Sequence, residues 1–244
     1  MVIIKDICKS FNGKIVLNSI NLDFCDGEIL TIVGKSGVGK SVLLKLVVGL
    51  IDSDSGSVNV DSILLDKNTV YNIRKKIGFV FQSSALIESL PVEENIGLAL
   101  RYIYNLDDDT IKRKVIETIR MVKLDEKVAS MYPSNLSGGM LKRAAIARAI
   151  ILKPKYIFYD EPTTGLDPIV ARAIEELILS LNNKLNTTSI IVTHDINSAV
   201  GISDRIAMLS KGKITFSGTV GDFNKTENQY VKEFKAAYFL KQEK

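Results

Sequence analysis

Short apolar runs alternate along the chain with longer stretches in which apolar residues recur every three or four positions. Runs of about five apolar residues, each ended by a polar or glycine-rich turn, predict buried strands at residues 29–33, 77–81, 156–159 and 189–193. Helical spacing predicts helices at residues 41–50, 91–104, 107–122 and 141–152, and from Pro168 onward. This alternation of strands and helices is typical of an α/β fold.

The two ends of the chain carry further elements. Residues 2–25 predict a pair of strands joined at Asn12-Gly13, a dipeptide that suits a tight hairpin turn. Residues 205–217 predict a closing hairpin across Lys211-Gly212. Residues 228–244 then place apolar side chains at helical spacing, so a final helix could pack on its own domain or dock on another chain. Its position beyond the last strand slightly favours docking.

The stretch between the first buried strand and the helix after it carries the clearest chemistry. It matches the pattern G-x-x-x-x-G-K-[ST], in which glycines let backbone N–H groups turn toward one anion and the following helix adds its positive end. Lys40 can reach the β and γ phosphates of a nucleotide, and the Ser41 hydroxyl can ligate Mg²⁺. The candidate phosphate-binding residues are Gly34, Lys35, Ser36, Gly37, Val38, Gly39, Lys40 and Ser41.

Polar residues follow three other predicted strands, and ligands of open α/β sheets collect at the carboxyl ends of strands. Gln82 can aim its amide oxygen at a metal ion or a water molecule. Adjacent carboxylates are costly to bury without a cation or a catalytic task, so we expect Asp160 to hold Mg²⁺ through water and Glu161 to deprotonate the attacking water. His194, the only histidine of the chain, could hydrogen-bond a γ-phosphate.

Several candidates also have an ordinary structural explanation. Gln82 alone is a polar strand end, Asp167 is a helix cap, and an aromatic residue such as Phe11 beside a hairpin turn usually packs in the core. Ser137-Gly138-Gly139 begins a helix as a capped turn whose open amides could also bind an anion. The basic residues of that helix predict a solvated face: Lys142, Arg143 and Arg148.

Composition narrows the class of protein further. The chain has 244 residues, of which 46% are hydrophobic and 25% charged, enough to bury a full core in one or two domains. A net charge of +4 is too weak to indicate nucleic acid as a partner. The longest apolar runs fall short of the ~20 residues that span a bilayer, and the N-terminus lacks the layout of a signal peptide. Cys8 and Cys25 lie far apart, which favours a reducing cytoplasm and buried thiols.

The order of these motifs resembles the nucleotide-binding domain of ATP-binding-cassette (ABC) proteins. The resemblance covers residues 1–220, and the run Leu136-Ser137-Gly138-Gly139 makes it far more specific than a phosphate-binding loop alone. It implies an α/β P-loop NTPase with an N-terminal antiparallel β subdomain and an α-helical subdomain inserted at residues 83–152. Residues 221–244 then form a C-terminal helical tail.

By the same resemblance, ATP is clamped in a head-to-tail homodimer, between the phosphate loop of one subunit and the Ser137-Gly138-Gly139 turn of the other. Phe11 then stacks on adenine, and Asp167 spans the dimer interface. The implied metal ligands are Ser41, Gln82 and Asp160, and the implied catalytic residues are Lys40, Gln82, Glu161 and His194. The helical subdomain is expected to face an integral membrane permease, and a small regulatory subunit is a further expected partner.

A narrower resemblance points to the ATPase subunits of MCE-type lipid transporters, the Mla phospholipid systems. Met140 stands where the signature usually has Gln, and the run continues with Lys142-Arg143-Ala144-Ala145. Residues 81–86 and 90–95 are similar to that branch as well. The extended tail suits those subunits too, because they carry a C-terminal segment that contacts partner chains.

These resemblances predict a peripheral ATPase subunit at the cytoplasmic face of the bacterial inner membrane, which powers the movement of lipid between membranes. Two alternatives stay open. The first is a cassette for another cargo, such as a lipoprotein, an amino acid or a drug. The second is a soluble cassette ATPase without a permease, such as an iron–sulfur assembly factor or a DNA-repair ATPase. The lack of a coiled-coil insertion and of a basic stripe disfavours the second.

Overall fold

A computed structural model describes residues 1–239 of the chain, and these residues form two compact units. The flanking unit combines residues 1–74 with residues 188–239, and the middle unit comprises residues 75–187. Residues 240–244 of the predicted tail lie outside the described residues.

The regular elements of the described residues are numbered in chain order. The strands are β1 (Val2–Phe11), β2 (Lys14–Phe24), β3 (Ile29–Val33), β4 (Ser55–Val60), β5 (Ile63–Leu64), β6 (Ile77–Val80), β7 (Tyr156–Asp160), β8 (Thr188–Thr193), β9 (Arg205–Ser210) and β10 (Lys213–Thr219). The α-helices are α1 (Lys40–Val47), α2 (Val70–Arg74), α3 (Val92–Tyr104), α4 (Asp108–Met121), α5 (Gly138–Ile150), α6 (Pro168–Leu185), α7 (Ile196–Ile202), α8 (Val220–Lys225) and α9 (Gln229–Phe239). Two short 3₁₀ helices span Glu126–Ser130 and Pro133–Asn135.

The flanking unit holds two groups of paired strands. The first group is antiparallel in the order β2-β1-β4-β5, and it contains the predicted hairpin at Asn12-Gly13. The second group has the order β10-β9-β3-β8, and it contains the predicted closing hairpin. Within it, β3 pairs in parallel with both β8 and β9, and Val33 lies opposite Thr193. The carboxyl ends of β3 and β8 therefore meet at one edge, where ligands of α/β sheets collect.

The strands β3 and β8, whose ends form this edge, are mostly apolar, and this fits their burial along the whole length. Every residue of β3 and of β8 is buried, which explains why each appears in the sequence as a continuous run rather than as an alternation. The strand predictions at residues 29–33 and 189–193 are confirmed, since β8 begins only one residue earlier than expected.

The C-terminal helix packs on its own unit. Val231 and Phe234 of α9 are buried in an apolar cluster that also contains Ile196 and Ala199 of α7 and Phe223 of α8. Of the two roles left open for this helix, packing on its own domain therefore holds for these side chains. Helical periodicity predicts an apolar face without showing which surface that face will meet.

The middle unit combines two parallel strands, β6 and β7, with four α-helices. The helices predicted at residues 91–104 and 107–122 are confirmed as α3 and α4, and the Asp107 carboxylate accepts a hydrogen bond from the Thr110 N–H at 2.9 Å. The helix predicted from Leu141 begins earlier, at Gly138, because Ser137 caps it and the two glycines form its first turn.

The structure differs from the sequence predictions in its short elements and in one thiol. The helices α2, α7 and α8 and the strand β5 are too short to repeat a period, so the residue pattern did not indicate them. Cys8 is partly buried but Cys25 is exposed, so the expectation of buried thiols is wrong for Cys25, which lies in the turn after β2. Among the described helices, none combines the length and the apolar character needed to cross a membrane.

Candidate nucleotide site

The phosphate loop, residues 34–41, joins the carboxyl end of β3 to α1 in the flanking unit. A β-carbon on Gly34 would lie 2.4 Å from the Leu209 carbonyl oxygen, so a side chain cannot be accommodated there. Gly39, at the start of α1, has a φ of 110°, a backbone conformation that side chains rarely adopt. Both glycines of the motif are therefore required by the conformation that opens the loop toward a ligand.

Lys40 is buried inside this loop. Its Nζ donates hydrogen bonds to the carbonyl oxygens of Gly34 at 2.9 Å and of Lys35 at 3.3 Å. A buried ammonium group needs such partners because its desolvation is costly. Residues 35–37 at the tip of the loop are exposed, so an anion can approach the loop from solvent.

Two further candidates belong to the flanking unit. His194 follows β8 directly and is exposed. Phe11, the last residue of β1, is 44% exposed, so the alternative that it packs in the core is wrong. The Lys9 ammonium lies 5.3 Å from the centre of the Phe11 ring, and one face of an aromatic ring beside a cation can stack on a flat ligand.

The two predicted carboxylates lie at the end of β7 in the middle unit. Asp160 is the last residue of the strand, and both Asp160 and Glu161 are buried. Glu161 has a φ of 51°, a left-handed conformation that costs energy for any residue other than glycine and that clusters at functional sites. The Thr164 hydroxyl donates to Glu161 Oε2 at 3.0 Å, which fixes the direction of this carboxylate.

Lys142 connects the carboxylates with the segment that carries Gln82. The expectation of a solvated face is wrong for Lys142, because its side chain is buried and its Nζ donates to the Gln82 carbonyl oxygen. Burial lowers the pKa of the Lys142 ammonium, and the neighbouring Asp160 and Glu161 carboxylates act in the opposite direction. Gln82 itself lies beyond the last residue of β6, and its side chain is exposed.

The segment after Gln82 is held by side chains that sequence reasoning did not select for this role. Arg148 donates to the carbonyl oxygens of Ser84 and Ala85, two residues with positive φ angles. The Asn95 side chain is fully buried and bonds both the N–H and the carbonyl of Ile87. Only a conformation that is held from several sides can retain such strained residues.

The expectation of a solvated face is also wrong for Arg143 and Arg148 of α5. The Arg143 Nη1 donates to the Val122 carbonyl oxygen at 2.9 Å at the end of α4, and burial lowers the pKa of this guanidinium. The three cations therefore satisfy backbone carbonyls instead of facing solvent. The sequence alone does not distinguish basic residues that face solvent from basic residues that bond buried carbonyl groups.

The variant Arg148→Met is expected to loosen the segment at residues 83–87. Without the guanidinium, two carbonyls and two left-handed residues lose their support, so amide exchange in that segment should accelerate by about tenfold, the worth of one net hydrogen bond. Hydrogen exchange measured by mass spectrometry on peptides that cover residues 82–90 checks this. Arg172→Met, on an exposed face of α6, is the matched control, and equal exchange in both variants would contradict the assignment.

Ser137 and Gly138 of the predicted signature turn are exposed, and so is Asp167, the predicted cap of α6. Ser137 Oγ accepts a hydrogen bond from the Met140 N–H at 3.4 Å, as expected for a helix cap. Asp167 Oδ1 accepts from the N–H groups of Ile169 and Val170, both at 3.0 Å, which confirms its role as the cap of α6. The flanking unit thus carries Phe11, the phosphate loop and His194. The middle unit carries Gln82, Ser137, Gly138, Gly139, Asp160, Glu161 and Asp167.

Comparisons with known proteins agree with this fold. A family model described as ABC transporter matches residues 17–164. The spermidine/putrescine import ATP-binding protein PotA of Haemophilus influenzae is 37% identical over 235 residues, which are 95% of this chain but only 61% of PotA. The intermembrane phospholipid transport system ATP-binding protein MlaF of the same species is 35% identical over 95% of this chain and 88% of MlaF.

A solved structure of similar fold is that of the ATP-binding cassette MJ0796, a dimer in a post-hydrolysis state bound to ADP and Pi. It superposes with a TM-score of 0.82 at 35% identity and covers 90% of this chain and 99% of that chain. The fold is therefore that of an ABC nucleotide-binding cassette, which confirms the predicted fold class. The chain belongs to the ABC transporter family.

Proposed function

We propose that this chain is the ATP-hydrolysing subunit of an ABC transporter. The observation that carries the proposal is the phosphate loop, in which the Lys40 ammonium is buried among backbone carbonyls at the carboxyl end of a buried parallel strand. A nucleotide phosphate that enters the loop would offer this cation better partners than neutral carbonyl oxygens. The proposed cofactor set is ATP with Mg²⁺.

The residues fit a hard cation bound together with phosphates. The Ser41 hydroxyl, the Gln82 amide and the Asp160 carboxylate all supply oxygen ligands, which Mg²⁺ prefers. Buried Asp160 has the charge that such an ion would neutralise. When bound, Mg²⁺ supplies positive charge against the β and γ phosphates.

Glu161 is the proposed general base. Its buried carboxylate, held by Thr164, would accept the proton of the attacking water, while Lys40 and His194 would donate hydrogen bonds to the γ-phosphate. Gln82 would orient the water or the metal ion. Because Lys142 holds the Gln82 carbonyl and lies near Glu161, a displacement of the Gln82 segment would reach the catalytic base.

We further propose that two copies of the chain work together, with ATP between the phosphate loop of one and residues 137–139 of the other. The exposed turn at Ser137 presents a capped helix start, which suits an anion. Ile169, beside Asp167, is 83% exposed, and a large apolar side chain so placed favours contact with another protein surface. MJ0796 forms a dimer, which supports this arrangement.

The proposed domain boundaries follow from this role. Residues 1–220 would form the cassette, residues 83–152 its helical subdomain facing an integral membrane permease, and residues 221–244 the tail. The proposed location is the cytoplasmic face of the bacterial inner membrane. A small regulatory subunit would be an additional partner.

Phospholipid is the proposed cargo. The similarity to MlaF extends over 88% of that protein, whereas PotA is matched over 61% of its length, and the Met140 signature adds to the likeness with lipid systems. A polyamine importer is the second candidate, because PotA is slightly more identical, at 37% against 35%.

Isolation of the tagged chain from its native membranes tests this role. An integral membrane partner that carries phospholipid would support the lipid proposal, and a permease whose transport depends on spermidine would favour the second candidate. A complex free of integral membrane proteins would contradict both.

The variant Met140→Gln is expected to change ATP turnover about twofold and to leave dimerisation intact. The Met140 thioether is a poor hydrogen-bond partner for a ribose or phosphate oxygen, and an amide at this position would add one polar contact without altering the N–H that Ser137 caps. Phosphate release and sizing chromatography with ATP present check the two parts. A variant that no longer dimerises would contradict this interpretation.

A further inference from the structure

His194 lies between two residues whose side chains accept hydrogen bonds from nearby backbone N–H groups. The Thr193 Oγ1 accepts a hydrogen bond from the Asp195 N–H at 3.0 Å. The Asp195 Oδ1 accepts from the Ser198 N–H at 3.1 Å and so caps α7. A shift of Asp195 would therefore reach the backbone of the exposed His194 directly.

A residue of the C-terminal helix holds Asp195. The Tyr238 hydroxyl of α9 donates to the same Asp195 Oδ1 at 2.7 Å, across 43 residues of sequence. Hydrogen bonds to a carboxylate are roughly twice as strong as those between neutral groups. The Tyr238 ring packs against the apolar cluster that joins α7, α8 and α9, so the hydroxyl is delivered by a fixed ring.

The helix that carries Tyr238 is itself anchored at several points. The Asn228 side chain, just before α9, donates to the Thr215 carbonyl oxygen of β10 at 2.8 Å. Lys235 donates to the carbonyl oxygens of Phe223 and Asn224 at the end of α8. Together with the burial of Val231 and Phe234, these contacts anchor α9 to the rest of its unit.

We infer that Tyr238 is a positioning residue, which acts through Asp195 to fix the His194 ring. The consequence for catalysis rests on the proposed function, in which His194 contacts the γ-phosphate. Any contact that draws α9 away from α7 would then lower turnover. Nucleotide binding would persist, because the phosphate loop makes none of these contacts.

The first test observes His194 directly and needs no catalysis. His194 is the only histidine of the chain, so in a protein without a histidine tag its Cε1–H group gives one ¹H–¹³C NMR signal. Tyr238→Phe removes only the hydroxyl and should shift and broaden this signal, as a ring with more than one position does. Tyr230→Phe, on the same helix, is the matched control and should leave the signal in place. An unchanged signal in Tyr238→Phe would overturn the inference.

The second test measures turnover in the full chain. Tyr238→Phe should lower kcat by about threefold to tenfold, the effect of one hydrogen bond, with KM for Mg·ATP unchanged. In an Asp195→Ala background the same substitution should have no further effect, because the two residues act as one unit. Additive losses, or a raised KM with unchanged kcat, would overturn the inference. A wild-type chain that does not hydrolyse ATP would contradict the proposed function. The NMR comparison would still decide whether Tyr238 positions His194.

Discussion

Replacing Glu161 by glutamine is expected to reduce ATP hydrolysis by about 10²-fold or more while Mg·ATP binding is retained. Glutamine has the shape of glutamate and can keep the hydrogen bond from Thr164, but its amide cannot take up a proton. General base catalysis contributes about 10²–10⁴-fold, so its loss should appear in kcat. The left-handed backbone at residue 161 is unaffected by this change, so the loop should keep its conformation.

Steady-state phosphate release and nucleotide titration separate the two parts of this result. Glu176→Gln makes the same chemical change on an exposed face of α6, where the side chain pairs only with Arg172 among the ion pairs described, and it should hydrolyse ATP normally. In the presence of ATP, the Glu161→Gln chain should also accumulate as a dimer, which sizing chromatography detects. Near-normal turnover would remove Glu161 from the role of base.

Replacing Lys40 by methionine should weaken Mg·ATP binding by about tenfold to a hundredfold. The substitution keeps the length and apolar stem of the side chain but removes the cation. One charge-assisted hydrogen bond to phosphate, worth about 1.5–3 kcal/mol, is then lost. The buried position should tolerate methionine, since the substitution removes a buried charge instead of introducing one.

Titration calorimetry with Mg·ATP measures this loss, and thermal unfolding confirms that the variant is folded. Lys45→Met removes the same charge at the other end of α1, away from the phosphate loop, and should bind Mg·ATP as the wild type does. Equal affinities of the Lys40 and Lys45 variants would show that the phosphates are bound elsewhere.

Much of the candidate site could be predicted from the sequence because its chemistry lies in consecutive residues. The phosphate loop, the pair Asp160-Glu161 and the caps at Ser137 and Asp167 each depend on neighbours within a few positions. Local hydrogen bonding and helix starts are properties of short segments, so the residue pattern determines them. The two caps are present as predicted.

The contacts that hold these segments were not predictable in the same way. Lys142 bonds a carbonyl 60 residues earlier, Arg148 bonds carbonyls 63 and 64 residues earlier, and Tyr238 bonds a carboxylate 43 residues earlier. From local sequence, Lys142 and Arg148 belong to a basic helix face, which is usually solvated. The burial of a long cationic side chain depends on which carbonyls the fold leaves without other partners.

The sequence by itself determined the order of the longer strands and helices, the phosphate loop and the family resemblance, because apolar periodicity and turn chemistry act over short stretches of chain. Only the tertiary structure decided that the basic residues of α5 turn inward, that Phe11 is exposed, and that α9 covers its own unit and reaches the residue beside His194. Those outcomes depend on contacts between segments that are far apart in the sequence. Burial and hydrogen bonding across such distances are decided when the core forms.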